Sequence, residues 1–152
     1  METVRATIGP ALAGRYAVER ELGEGAMALV FLASDLKHDR KVAIKVLKPE
    51  LASAIGSDRF HREIDVVAGL THPHILALYD SGEASGLLYF VMPYIEGESL
   101  RERLRREKRL PIADALRITR EMAGALGFAH RHGVVHRDVK PANIMLTEDH
   151  AL

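Results

Sequence analysis

Three observations predict an α+β fold for this chain. Its first part, up to roughly residue 92, carries five short segments of strand character grouped around one amphipathic helix. The first two of those segments are joined by a glycine-containing loop in the order strand, glycines, strand. The remainder reads as two helices, one densely charged and one long and striped with apolar side chains, so strands and helices are segregated along the chain.

The 152 residues are enough for one domain with a real core, or for a domain and a piece of another. Basic and acidic side chains balance at 21 each, so no global field favours nucleic acid or an acidic membrane surface. The absence of cysteine excludes a disulfide framework and a thiolate metal site, and suits a reducing compartment. Met1-Glu2-Thr3-Val4-Arg5 is mixed polar and leads into no long apolar run, unlike a signal peptide, and nothing reaches the length of a membrane span. A cytoplasmic chain is expected.

Residues 1–14 are rich in Ala and Gly without clear periodicity, which predicts a flexible arm. A first strand over Arg15 to Leu22 runs into Gly23-Glu24-Gly25-Ala26-Met27-Ala28-Leu29-Val30, and Phe31 to Ser34 continues as the second strand before a polar turn at Asp35 to Arg40. Such glycines let a backbone bend close over phosphates, where a side chain would clash, although a plain hairpin turn is the commoner use of the pattern. Lys41 to Leu47 is a third strand, rich in β-branched residues. It places Lys45 among apolar neighbours, where a lysine either snorkels to water or needs an anionic partner.

Pro49 to Ile55 is a connection with room for a helical turn. Ser57 or Asp58 can cap a helix from Arg59 to about Leu70, whose stripe is Phe60, Ile64 and Val67. Glu63 falls beside that stripe, a position that is usually plain surface. His72 and His74 stand two apart, but with no further ligand nearby in the sequence they read as part of a turn and not as a metal site. Ala77 to Asp80 and Leu87 to Met92 are the fourth and fifth strands, around a Ser-Gly-Glu turn region.

Glu98 to Lys108 is a charged helix with Ser99 as its cap. Its Arg101, Arg103, Arg105 and Arg106, interleaved with Glu102 and Glu107 and followed by Arg109, describe an ion-paired solvated face better than a nucleic-acid patch. The long helix runs from Pro111 to His132, with Ile112, Ala115, Leu116, Thr119, Met122, Ala123, Leu126 and Ala129 at helical spacing and Gly133 as its stop. Val134-Val135 reads as a short strand, followed by His136-Arg137-Asp138-Val139-Lys140-Pro141-Ala142-Asn143 and then by a strand at Ile144-Met145-Leu146.

The last octet offers a proton acceptor, a cation and an amide oxygen in one short segment, the three functions that phosphoryl transfer gathers around a γ-phosphate. It resembles the catalytic loop, H-R-D-x-K-x-x-N, of eukaryotic-type (Hanks-type) bacterial serine/threonine protein kinases. Upstream, and in the same order, the glycine loop, Val-Ala-Ile-Lys, the helix glutamate, the H-P-x-I turn and Met92-Pro93-Tyr94-Ile95-Glu96-Gly97 resemble further motifs of that family. The third glycine of the general pattern is Ala28 here, a small residue that the close approach tolerates.

The resemblance implies an α+β kinase-like fold: a five-stranded antiparallel small lobe with one main helix over 15–92, a connector over 93–97, and the first part of a large lobe over 98–152. It also implies an ATP-dependent kinase that transfers the γ-phosphate to a protein Ser or Thr hydroxyl with Mg2+. Asp138 would then orient the substrate hydroxyl and take its proton, Lys140 would offset γ-phosphate charge, Asn143 would bind a metal ion, and Lys45, held by Glu63, would grip the α- and β-phosphates. His136 would be structural. The nucleotide would be met by Leu22, Gly23, Glu24, Gly25, Ala26, Met27, Ala28, Leu29, Val30, Ala43 and Met145, with Met92 as gatekeeper. Adenine would use the Pro93 carbonyl, so the missing N–H of that proline is no obstacle, and the Ile95 N–H.

The implied partners are ATP and a Ser/Thr-bearing protein, with no nucleic acid and no membrane segment, and the family also knows small-lobe homodimers. The chain stops where this family enters the strand leading to Asp-Phe-Gly. On that ground it is expected to be the front part of a longer kinase, with its long-helix stripe bare. A catalytically silent nucleotide-binding or interaction module is the alternative reading, and a small-molecule phosphotransferase a more distant one.

Overall fold

A computed structural model describes residues 1–152. The chain forms two compact units, Met1–Ala68 with Ala77–Tyr94, and Gly69–Leu76 with Ile95–Leu152.

The first unit is built on a five-stranded antiparallel sheet ordered β1-β2-β3-β5-β4, with β1 Tyr16–Glu24, β2 Ala28–Asp35, β3 Arg40–Leu47, β4 Asp80–Ala84 and β5 Leu87–Pro93. Alternation along the strands gives it two different faces. Leu29, Phe31 and Ala33 of β2, Val42, Ile44 and Val46 of β3, and Val91 of β5 point to one face and are all buried.

What covers that face is a helix, α1 (Glu2–Leu12), in the segment expected to be a flexible arm. Val4, Ile8 and Leu12 recur every fourth residue, form one stripe, and are 1%, 0% and 5% exposed against the sheet. The arm is therefore part of the core. Pro10 lies within two residues of the helix end, so the hydrogen bond it forfeits is one of the last. Outside the stripe, Arg5 Nε pairs with Glu21 Oε2 of β1 at 2.6 Å.

On the opposite face, α2 (Pro49–Ile55) and α3 (Ser57–Ala68) cover one end. Phe60 and Ile64 of α3, with Leu51, Ala52 and Ile55 of α2, pack on Ala28, Leu47, Leu88 and Phe90. The stripe is weaker than its spacing promised, because Val67 remains 37% exposed. The fourth strand also differs from expectation. It spans Asp80–Ala84 and so absorbs the Ser-Gly-Glu segment, because the turn is Ser85-Gly86, with φ of 50° and 76°. Two positive φ values in succession are what a two-residue hairpin closing Ala84 against Leu87 requires.

A buried carboxylate ties down the β2–β3 turn. Asp35 is 1% exposed and accepts from the Lys37 and His38 N–H groups, His38 Nδ1 and Arg40 Nε, with Arg15 nearby. Burial opposes its charge, but the His38 ring and the His38 and Lys37 N–H groups outweigh burial and hold its carboxyl down at about 2.

The second unit joins α4 (Leu100–Glu107), α5 (Ile112–Arg131) and a two-stranded ladder of β6 (Glu98–Ser99) with β7 (Met145–Leu146). Ser99 caps α4 through a reciprocal box with Glu102. The core is Leu100, Ile118, Ile144, Leu146 and Ala151, flanked by Leu104, Leu110 and Met122. On α5 the buried residues are Ile118, Ala125 and Ala129; of the expected stripe Ala129 is buried and Met122 flanks the core, whereas Ile112 and Leu116 are 80% and 52% exposed. Spacing alone fits more than one set of apolar positions on this helix, and packing selects among them. Val134-Val135 forms no strand, and β7 pairs with β6. The loop Gly69–Leu76 groups with this unit, where the His72 ring lies 5.2 Å from that of Phe128. No helix is long and apolar enough to cross a membrane.

Candidate active site

In the second unit the octet His136 to Asn143 folds into a compact turn. Pro141–Asn143 is a single turn of 3-10 helix, started by the fixed φ of the proline and closed by the Asn143 N–H donating to the Lys140 carbonyl at 2.9 Å. That turn swings Asn143 back onto Asp138. Asn143 Nδ2 donates to the Asp138 backbone oxygen at 2.9 Å and to its Oδ2 at 3.2 Å, and Lys140 Nζ lies 3.3 Å from the same Oδ2. Oδ1 is left unclaimed, and the carboxylate side chain is half exposed at 51%.

The three residues singled out for charge and proton handling are therefore brought together around one carboxylate. With its NH2 committed to Asp138, the Asn143 amide presents its oxygen the other way. His136 uses Nδ1 to accept the Asp138 N–H at 3.1 Å, so it shapes the loop as expected, although it is exposed and not packed. Arg137 sits at φ 68°, a left-handed conformation that costs a non-glycine residue about 1–3 kcal/mol and that the surrounding turn has to impose.

The first unit carries the glycine loop as the turn of the β1–β2 hairpin, with Gly23 opposite Val30 and the Gly25 N–H donating to the Ala28 carbonyl at 2.8 Å. Neither glycine adopts positive φ, and a Cβ would meet nothing within 4 Å at Gly23 and only ordinary contact at Gly25. The hairpin alone does not need them. Glu24 is held by Lys48 at 2.9 Å and by Arg5, and these partners, Lys48 foremost, lower its pKa. No local signal marked either basic partner. Gly25, Ala26 and Met27 are exposed, whereas Ala28 and Leu29 are buried in the core, so any ligand at those two positions meets backbone.

Register places Lys45 opposite Val30 on one side and Phe90 on the other, and Ala43 opposite Leu32 and Met92. Val30, Ala43, Lys45 and Met92 thus share the sheet face that α1 does not cover: an apolar strip with one ammonium group. Lys45 Nζ lies 5.7 Å from the centre of the Phe90 ring. Leu22 is half buried next to the β1 irregularity between Glu21 and Gly23, and Pro93 ends β5 opposite Val42. Glu63 lies on α3, the helix packed on this same face, and its Oε1 accepts from Arg59 Nε at 3.0 Å. Ile95 and Met145 belong to the second unit, both half buried.

The first unit thus carries a glycine hairpin and a strand lysine, and the second an Asp-Lys-Asn turn. The protein kinase domain family matches residues 16–152, and the chain belongs to it. Among its relatives, serine/threonine-protein kinase PknB of Mycobacterium leprae is 42% identical over 151 residues, covering 96% of this chain and 24% of that protein. PrkC of Bacillus subtilis is 41% identical over 140 residues, covering 91% of this chain and 22% of that one. The crystal structure of the Mycobacterium tuberculosis PknI kinase domain aligns with a TM-score of 0.78 at 38% identity, over 90% of this chain and 55% of that domain. The chain thus spans about a quarter of these full-length relatives and about half of the crystallised domain.

Proposed function

We propose that this chain belongs to an ATP-dependent serine/threonine protein kinase, acting in the ATP-rich cytoplasm. The observation that carries the reading is the Asp138–Lys140–Asn143 cluster, in which a half-exposed carboxylate keeps one oxygen open between a cation and an oriented amide. A substrate hydroxyl donating to Oδ1 would be aligned for attack on the γ-phosphorus. As the new P–O bond forms and the bond to the ADP oxygen breaks, the hydroxyl proton passes to Asp138. Lys140 would offset charge on the transferred group.

Lys45, Ala43, Val30, Met92 and the Gly23–Gly25 loop would hold the nucleotide: apolar contact for the base, backbone N–H groups and one ammonium for phosphates. Glycines that the empty hairpin does not require support that use, since their benefit lies in close approach by a ligand. Glu63 would orient Lys45. For Mg2+ the fit is partial: Asn143 offers one hard oxygen, whereas such an ion wants carboxylate and phosphate oxygens as well, so no step is assigned to it. The small-lobe homodimer would have to use a surface other than the sheet face under α1.

The test is transfer of labelled γ-phosphate from ATP to a Ser/Thr-containing protein by the full-length protein, comparing wild type with Asp138→Asn. A loss of about 10²–10⁴ in rate with nucleotide binding retained is expected. Equal rates in the two proteins would refute the assignment, and binding of ATP without transfer by the wild type would favour a silent module.

A further inference from the structure

We infer that His74, Glu121 and His150 of the second unit form a zinc-type metal site, separate from the catalytic turn. The three come from the loop Gly69–Leu76, from α5 and from the turn after β7. They offer donor atoms that all lie within 4.8 Å of one another. His74 and His150 face each other with ring centres 5.6 Å apart.

Hydrogen bonding prepares the donors. His74 Nδ1 lies 2.9 Å from the Ala151 carbonyl oxygen, which can only accept, so Nδ1 carries the proton and Nε2 keeps its lone pair. A histidine that donates its second ring N–H to a backbone carbonyl is the usual support for a metal ligand. Glu121 Oε2 accepts the Ala151 N–H at 2.8 Å and Arg117 at 3.2 Å, which fixes the carboxylate and leaves Oε1 with only a 3.4 Å contact to Arg117. The side chain of His150 is exposed and engaged only by the ring of His74, so it is free to swing in.

A simpler account is that His74 and Glu121 merely clamp the two sides of the Ala151 peptide. That explains two of the residues and leaves no role for the third. Arg117 is the main opponent of a cation, but it also donates to the Asp149 carbonyl at 3.2 Å and keeps that partner if it leaves Glu121. Two imidazoles and a carboxylate suit a borderline ion such as Zn2+ over Mg2+. Tetrahedral bonds of about 2.0–2.2 Å place donors roughly 3.4 Å apart, a contraction that a histidine and a glutamate rotamer can supply. Three protein ligands leave a fourth position for water. The ion would staple loop 69–76, α5 and the segment 147–151, which are remote in sequence.

The experiment is titration of Zn2+ into the chelator-treated full chain by calorimetry, with thermal unfolding followed alongside. One equivalent should bind, and zinc should raise the unfolding midpoint. His150→Ala, whose side chain has no hydrogen bond to lose, should keep the metal-free midpoint, weaken binding at least about tenfold, and abolish the zinc-induced rise. Glu121→Gln should weaken binding too. His130→Ala, an exposed histidine elsewhere on α5, is the control and should bind as wild type. No stoichiometric binding at micromolar zinc, unchanged affinity in His150→Ala, or an equal loss in His130→Ala would each overturn the site.

Discussion

Replacing Ile8 by alanine tests whether residues 1–14 are an arm or part of the core. Ile8 is fully buried between Val4, Leu12 and the strands of the first unit. Removing its side chain beyond Cβ forfeits apolar burial and leaves a cavity that the rigid sheet cannot collapse to fill. Such Ile→Ala changes cost about 2–5 kcal/mol, and a site with no exposure should fall near the middle, at about 3 kcal/mol. For a unit of fewer than 100 residues that corresponds to a fall in thermal midpoint of roughly 12–24 °C, with a matching fall in the urea midpoint. The assay is urea unfolding read by tyrosine emission. There is no tryptophan, and Tyr16, Tyr79, Tyr89 and Tyr94 all lie in the first unit, so the signal reports that unit alone. Thr3→Ala, on the exposed side of the same helix, should stay within about 0.5 kcal/mol of wild type. An equally small effect for Ile8→Ala, at unchanged m-value, would refute the docking of α1 and restore the loose arm.

Two further outcomes follow from the packing. At Gly97 a Cβ would run into the Leu146 carbonyl oxygen where β6 meets β7, and backbone cannot yield as a flexible side chain would. Gly97→Ala should therefore destabilise the second unit by about 1–3 kcal/mol, seen as earlier loss of helical circular dichroism with the tyrosine transition unmoved. Asp35 titrates at about 2 in the folded unit against an ordinary value of 3.8, so the folded state binds fewer protons there. Its stabilisation is complete above about pH 5 and is lost as pH falls through about 2. Asp35→Asn should flatten that limb of a plot of urea midpoint against pH, and an unchanged acid limb would show that other carboxylates set it.

Features encoded over a few residues were legible without coordinates. The Ser99 capping box, the strand–glycine–strand hairpin, the β-branched third strand and the Asp138-to-Asn143 spacing all depend on neighbours within one turn of chain, and the structure realises each of them. Val4, Ile8 and Leu12 were equally regular, but the glycines and alanines around them and the proline at position 10 diluted the pattern. The fourth strand slipped because two Ser-Gly pairs compete for the turn, and only pairing with β5 shows that the second supplies both positive φ values.

By itself, then, the sequence determined the order of the motifs, the residue types and spacing of the octet His136 to Asn143, and the family, because these rest on residue type and short spacing. Tertiary structure alone decided which apolar positions of α5 are buried, that a helix closes the back of the sheet, and that His74 meets Glu121 and His150. Those outcomes depend on which surfaces come together across tens of residues. A helix periodicity shows that a face will be buried, but the partner that buries it, and the side chains thereby gathered at its edge, are set by packing.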